Sequence, residues 1–327
     1  MFAHHEKIKA DAAQFIHYEK DRKNRIATIT FDRPDKHNAT GIGMRMHYAD
    51  MVRKAHIDDE VKVLLIRGVG DHFGAGGDLP EESVIVKETV NAEEDSLLPI
   101  MEIDDPDVVY PAKGKYRYLF GLTDYYATAR SGCRPLQECK KITIIEAKGY
   151  VYGWHFYQAA DADLIVSSEE ALFGHPSFRY AGWGPRMWQW AEMMGLRKFQ
   201  EMVFTGRPFS AKEMYDCNFV NSVVRRDQLE DEVMKYALAC SRSRPTDVVV
   251  AQKSFFTIYK QFRGEYLGSQ LTGMLEGLLP AMRNDDELDV QLGEAAFSKG
   301  LNNTVKDFDE NFPPEWRLSL GGRKKNA

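Results

Sequence analysis

The chain has 327 residues, a formal net charge of −6, 43% hydrophobic content and four cysteines. That length can bury a substantial core in one to three domains. The acidic balance gives no basic face for nucleic acid, and no apolar run approaches the length of a bilayer span. Cys133, Cys139, Cys217 and Cys240 form no Cys-x-x-Cys pair and have no histidine at ligand spacing, so neither a metal site nor a disulfide framework is expected. The start, Met1 to Glu6, is charged and lacks the pattern of a secretory leader, which makes the cytoplasm the expected location. The basic Arg323-Lys324-Lys325 end reads as a frayed, solvated tail.

In chain order, Phe15 to Tyr18 and Ile26 to Phe31 flank a polar turn, Asp21 to Asn24, and predict a hairpin. Gly43 to His56 predicts a helix with Met44, His47, Tyr48, Met51, Val52 and Ala55 on one face. Val61 to Arg67, Ile142 to Ala147, Leu164 to Ser167 and Val220 to Val224 read as strands separated by helical or loop segments. This alternation implies crossover connections and an α/β fold with largely parallel pairing. From Gln228 onward the pattern is helical, with breaks at Pro245, Gly264 and Pro280. The expected division is a core over 1–227 and a helical region over 228–327.

Directly after the strand at Val61 to Arg67 comes His72-Phe73-Gly74-Ala75-Gly76-Gly77-Asp78-Leu79. Four small residues in a row let the backbone turn sharply and come within contact distance of a ligand. Backbone N–H groups placed this way suit an oxyanion developing from a carbonyl or thioester, because they are fixed before the charge appears. A glycine-rich turn is more often only a turn, so the rest of the chain has to carry the case.

Four further segments do so. Asp32-Arg33-Pro34-Asp35-Lys36-His37-Asn38-Ala39 closes an early strand, and Lys148 to His155 leads from a strand into a helix start. Leu172-Phe173-Gly174-His175-Pro176 follows, and then Phe204 to Arg207 with Ser210-Ala211-Lys212-Glu213 and Phe219-Val220-Asn221. The ordered set, from about Asn24 to Asn311, resembles the crotonase superfamily, the enoyl-CoA hydratase/isomerase family. The resemblance implies a crotonase (ClpP/crotonase-like) spiral of ββα units with a C-terminal helical trimerisation region. It further implies a homotrimer or dimer of trimers acting on an acyl-CoA, with coenzyme A entering as part of the substrate and no resident cofactor.

Carried over residue by residue, the backbone N–H groups of Gly77 and Trp154 fall at the family's two oxyanion positions. Lys36, Asn38, Gly74, Ala75, Gly76 and Asp78 fall where the substrate and its CoA bind. The family's two catalytic glutamates do not carry over: Tyr157 and Ser177 stand at those positions. This predicts a lyase, isomerase or hydrolase on a bulky or cyclic acyl-CoA rather than a plain hydratase. Tyr157, His175 and Tyr180 are the candidate proton-handling side chains, with Ser177 a minor neighbour and His72 and His155 nearby. Arg179 to Gly184 is also similar to the Gly-Gly-Trp-Gly turn of dihydroxynaphthoyl-CoA synthases, with Tyr180 at a catalytic aspartate position. The alternative is a non-catalytic acyl-CoA-binding or scaffold protein of the same fold.

Between Glu81 and Ser131 the chain is longer than in hydratases of the family and carries eleven acidic against five basic residues. Its aromatics, Tyr110, Tyr116, Tyr118, Phe120, Tyr125 and Tyr126, either pin a surface insertion to the body or build a lid over the acyl site.

Overall fold

A computed structural model describes residues 3–81, 103, 105–109, 115–179, 182–278 and 301–324. After an N-terminal helix, α1 (Ala3–Ala12), the hairpin forms as read, with β1 (Ile16–Asp21) antiparallel to β2 (Ile26–Phe31). Next come α2 (Ile42–Ile57), β3 (Val63–Gly68), α3 (Lys115–Ala127), the one-turn α4 (Pro135–Glu138) and β4 (Ile142–Ala147). Short β5 (Tyr150–Tyr152) leads into α5 (Trp154–Asp161), followed by β6 (Leu164–Ser168), short β7 (Leu172–Gly174), α6 (Met187–Met194) and α7 (Leu196–Thr205). β8 (Phe209–Ser210), α8 (Ala211–Asp216) and β9 (Ser222–Val224) complete the sheets. The helices α9 (Leu229–Arg242), α10 (Thr246–Phe262), α11 (Glu265–Leu278), α12 (Leu301–Asp309) and α13 (Leu320–Lys324) follow.

Six strands form one sheet in the order β1-β2-β3-β4-β6-β9, parallel from β2 onward. The short strands β5, β7 and β8 form a second sheet. After β4 and again after β6 the chain leaves the large sheet, adds a short strand to the small one and returns through helix, which is the predicted spiral of ββα units.

Both faces of the large sheet are covered, and this explains the continuous apolar run Val63-Leu64-Leu65-Ile66. Leu64 and Ile66 face the main core with Phe31, Phe73, Trp154, Phe173 and Trp190. Val63 and Leu65 face a second layer with Ile142, Ile144 and Val166, roofed by Leu229, Val233 and Ala237 of α9 and Val249 of α10. The Ser210-x-x-Glu213 passage is a capping box at the start of α8.

Three features differ from the sequence reading. The second sheet went unpredicted because its strands are two or three residues long and show no period. Helix α1 went unread because its apolar residues make no continuous stripe. Arg323, expected at the start of a frayed basic tail, is held instead, donating to the carbonyls of Arg317 and Pro208, while Lys325 lies outside the described residues. Of the 81–131 aromatics, Tyr125 and Tyr126 are buried against the body, bonded to Arg45 and Glu276. Most of the rest of that segment lies outside the described residues, and the lid reading with it.

Candidate active site

Three loops meet at glycines. The chain leaves β3 for the 73–78 loop, which pairs with β5 through Gly74 N–H to Tyr150 O and Tyr152 N–H to Gly74 O, at 2.8 and 3.0 Å. Gly76 (φ +103°) and Gly153 (φ +53°) lie back to back. A Cβ on Gly153 would come 3.2 Å from the Gly76 Cα, and one on Gly76 would come 3.2 Å from the Tyr152 carbonyl oxygen. Gly153 N–H then donates to Gly174 O at 3.1 Å, which ties in the end of β7 just before His175. Side chains at these two positive-φ positions would force the loops apart and strain the backbone.

Within the first loop nearly every N–H is committed. Phe73 donates to Lys148 O, Gly74 to Tyr150 O, Ala75 to His37 O and Asp78 to Thr40 O, and Gly76 donates to His155 Nδ1 at 3.2 Å. Gly77 N–H has no hydrogen-bond partner among the described residues. Trp154 N–H opens α5 and likewise has none, as helix geometry requires of a first-turn donor. Each expected oxyanion donor thus follows one of the two touching glycines, and the positive end of α5 adds to the second. The Trp154 ring is buried, with its Nε1–H on Gly132 O at 3.1 Å and its faces and edges against Phe31, Tyr48 and His155. Arg45 of α2 lies over that ring at 5.8 Å and bonds Thr40 and Tyr125.

A side-chain cluster gathers just past the end of β7. His175 Nε2 is 3.2 Å from the Tyr157 hydroxyl and in a short contact with Ser177 Oγ. Tyr157 is one turn along α5 from Trp154, on the same face. Gly184 makes room for the imidazole: a Cβ there would stand 2.8 Å from His175 Cδ2. Burial pushes the His175 pKa down to about 3, with the backbone of Trp183 pulling weakly the other way. The ring is therefore neutral at pH 7. An unprotonated Nε2 has one lone pair and two hydroxyls beside it, so the cluster keeps a hydroxyl hydrogen that can be turned toward a bound group. Ser177, expected as a minor neighbour, makes the shorter of the two contacts. Tyr180 lies outside the described residues.

The other expected positions divide. Asn38 is buried, and its side chain is consumed internally: Oδ1 accepts Arg33 N–H, and Nδ2 donates to Val69 O and His72 O. It shapes the loops rather than contacting a ligand. Asp78 is ion-paired with Arg33 at 2.6 Å, which favours its role as a turn anchor. Lys36 is exposed beside the loop. His72 stacks on Tyr150 at 4.3 Å and meets His37 edge-on. Burial, then His37, lowers its pKa to about 4. It belongs to the outer wall, away from the trio.

Sequence reasoning missed Arg45 and the Tyr126–Glu276 pair, in which the Tyr126 hydroxyl donates to the carboxylate at 2.6 Å. Arg45 sits on an otherwise apolar helix face, and Glu276 comes from a helix read for its leucines, so neither had a local signal.

The enoyl-CoA hydratase/isomerase family model matches residues 122–274, which include α5, the His175 turn and the helices to α11. The chain is 25% identical over 299 residues to mevalonyl-coenzyme A hydratase of Aspergillus fumigatus, covering 90% of this chain and 92% of that one. The family match and this full-length similarity support a place in the enoyl-CoA hydratase/isomerase family, the crotonase superfamily. It is also 28% identical over 232 residues to EchA13 of Mycobacterium tuberculosis, which carries the name enoyl-CoA hydratase, covering 68% of each. Among solved structures, enoyl-CoA hydratase from Mycobacterium smegmatis superposes with a TM-score of 0.73 at 20% identity, covering 96% of this chain and 98% of that one. An enoyl-CoA hydratase/isomerase from Xanthobacter autotrophicus Py2 gives 0.68 at 20% identity, covering 91% and 98%. These likenesses show the same fold.

Proposed function

We propose that this family member transforms an acyl-CoA whose thioester oxygen is held by the Gly77 and Trp154 N–H groups, with Tyr157, His175 and Ser177 supplying a proton to the enolate. The observation that carries the reading is the meeting of two hydroxyls, those of Tyr157 and Ser177, on one imidazole nitrogen of His175, with both hydroxyl residues standing where the family's paired glutamates are expected. A neutral, weakly basic imidazole is poorly suited to pulling a proton from carbon or water. It suits a reaction in which cleavage of a carbon–carbon bond itself delivers the enolate, leaving only protonation to be done. A carbon–carbon lyase acting on a bulky or cyclic acyl-CoA is thus favoured over an isomerase, a hydrolase or a plain hydratase.

Coenzyme A enters as part of the substrate, along the 74–78 turn with Lys36 at its rim. The working form is a homotrimer or dimer of trimers built on α10 and α11. Support comes from their exposed apolar side chains, Phe255, Phe262, Leu267, Met274 and Leu278, which a lone chain would leave in water.

A panel of acyl-CoA thioesters followed by mass spectrometry tests the reading: loss of carbon dioxide or of a carbonyl fragment, with CoA retained, is the expected change. Addition or loss of water would favour the second reading, a hydratase, which the full-length match to mevalonyl-coenzyme A hydratase supports. Tight CoA-thioester binding with no turnover of any member would leave the scaffold alternative.

A further inference from the structure

His155 is not in the reacting cluster. It lies fully buried behind the 73–78 loop, boxed by Phe31, Phe73 and Trp154 at ring distances of 5.2, 5.1 and 5.0 Å. Its Nδ1 accepts the Gly76 N–H, which makes it the only side chain among the described residues that holds a backbone N–H of that loop. Its Nε2 lies against Gly74, where a Cβ would come within 2.1 Å, so the glycine is what admits the ring.

Gly76 joins two peptide planes. The plane before it is held at the Gly76 N–H by His155. The plane after it is held at the Gly76 carbonyl, which accepts from Thr40 N–H at 2.9 Å and Thr40 Oγ1 at 3.3 Å. A trans peptide points its N–H opposite to its carbonyl, so the second plane is the one that aims the Gly77 N–H. Glycine resists rotation weakly at both of its dihedrals. Without the first anchor, the Gly76 N–H has no partner left and the φ of +103° is restrained from the carbonyl side alone.

We propose that His155 is a positioning residue: it fixes the peptide before Gly76 so that the Gly77 N–H stays aimed at the thioester oxygen. The inference rests on the reading of Gly77 and Trp154 as oxyanion donors. An accepting Nδ1 carries no hydrogen, so the proton belongs on Nε2. Asparagine places an acceptor near the Nδ1 position, and leucine places none.

The test is the infrared carbonyl band of crotonyl-CoA, ¹³C-labelled at the thioester carbon and bound to the full-length protein. The wild type is expected to shift the band to lower wavenumber, His155→Asn to keep most of that shift and His155→Leu to lose at least half of it while still binding crotonyl-CoA. A full shift in His155→Leu overturns the inference and leaves the oxyanion reading standing. An unshifted band in the wild type removes the oxyanion reading and this inference together. Should His155→Leu fail to fold, the ¹⁵N imidazole resonances of the wild type decide: Nε2 protonated and Nδ1 accepting is the expected state, and a protonated Nδ1 overturns the proposal.

Discussion

The two sides of the site are built from different materials. In the proposed reading, the chemistry on the 73–78 side is carried by backbone N–H groups, and the side chains around them hold the loop's shape. On the 175–177 side it is carried by side chains, held by packing against Phe178 and Trp190 and by the absence of a side chain at Gly184. Backbone donors survive sequence change as long as the dihedrals do, which is how a tryptophan can stand at the second oxyanion position. Side-chain chemistry changes with each substitution, so the first wall fixes the class of intermediate while the second selects what becomes of it.

The sharpest way to break this contrast is at the glycines. Gly76→Val sets a branched side chain at φ +103° against the Tyr152 carbonyl and Gly153. It should lower the maximal rate by roughly 10³-fold, the upper range for losing one oxyanion donor. Steady-state kinetics on the acyl-CoA found in the screen would check this, and a near-normal rate would mean the loop does not present the donor.

On the opposite wall, His175→Ala and Tyr157→Phe should each cost about 10²-fold in kcat, the lower range for a positioned acid or base. Binding of the acyl-CoA, measured by calorimetry, should change little, because these groups act mainly in the transition state. A loss confined to binding would assign the trio to packing instead.

Acidity separates the walls in a third way. His175 and His72 have folded pKa values of about 3 and about 4, below the value near 6.5 of an unfolded chain. Their contribution to stability is complete above about pH 6.5 and is lost as pH falls toward those folded values, because only the unfolded state takes up the protons. The slope is roughly 1.4 kcal/mol per pH unit for each ring, less for half-buried His72. Urea midpoints between pH 7.5 and 4.5 should fall accordingly, and His175→Gln should flatten the curve. The smallest effect is expected at Asp78→Asn, which breaks a partly exposed pair with Arg33. It should cost about 1 kcal/mol or less of stability and leave kcat almost unchanged; a large fall in kcat would return Asp78 to the chemistry.

What the sequence made legible follows the same division. The 73–78 loop could be read because its constraint is local, four small residues directly after an apolar strand, and because four further ordered segments stand with it. The large sheet could be read because each strand is a run of β-branched and aliphatic residues between turn signals. The bond from Gly76 to His155 could not, since it joins positions 79 apart in sequence and a histidine amid Trp154 and Phe156 looks like any core residue. Asn38 and Asp78 were expected among the substrate-binding positions because the family resemblance puts them there. Only the geometry shows their polar atoms spent on neighbouring backbone and on Arg33.

Arg179, two residues past Ser177, gives the far end of the chain a hold on the site. Its guanidinium donates to Asp309 and to the Trp316 carbonyl at 2.8 and 2.6 Å and lies 3.6 Å over the Phe312 ring. The Tyr152 hydroxyl, two residues before the second oxyanion donor, donates to Leu318 O, and Leu320 N–H donates to the Tyr150 hydroxyl. Residues 309–320 therefore act as a splint spanning both walls, since the same short stretch grips β5 on one side and the His175 turn on the other. Whatever loosens that splint frees β5 and the His175 turn together.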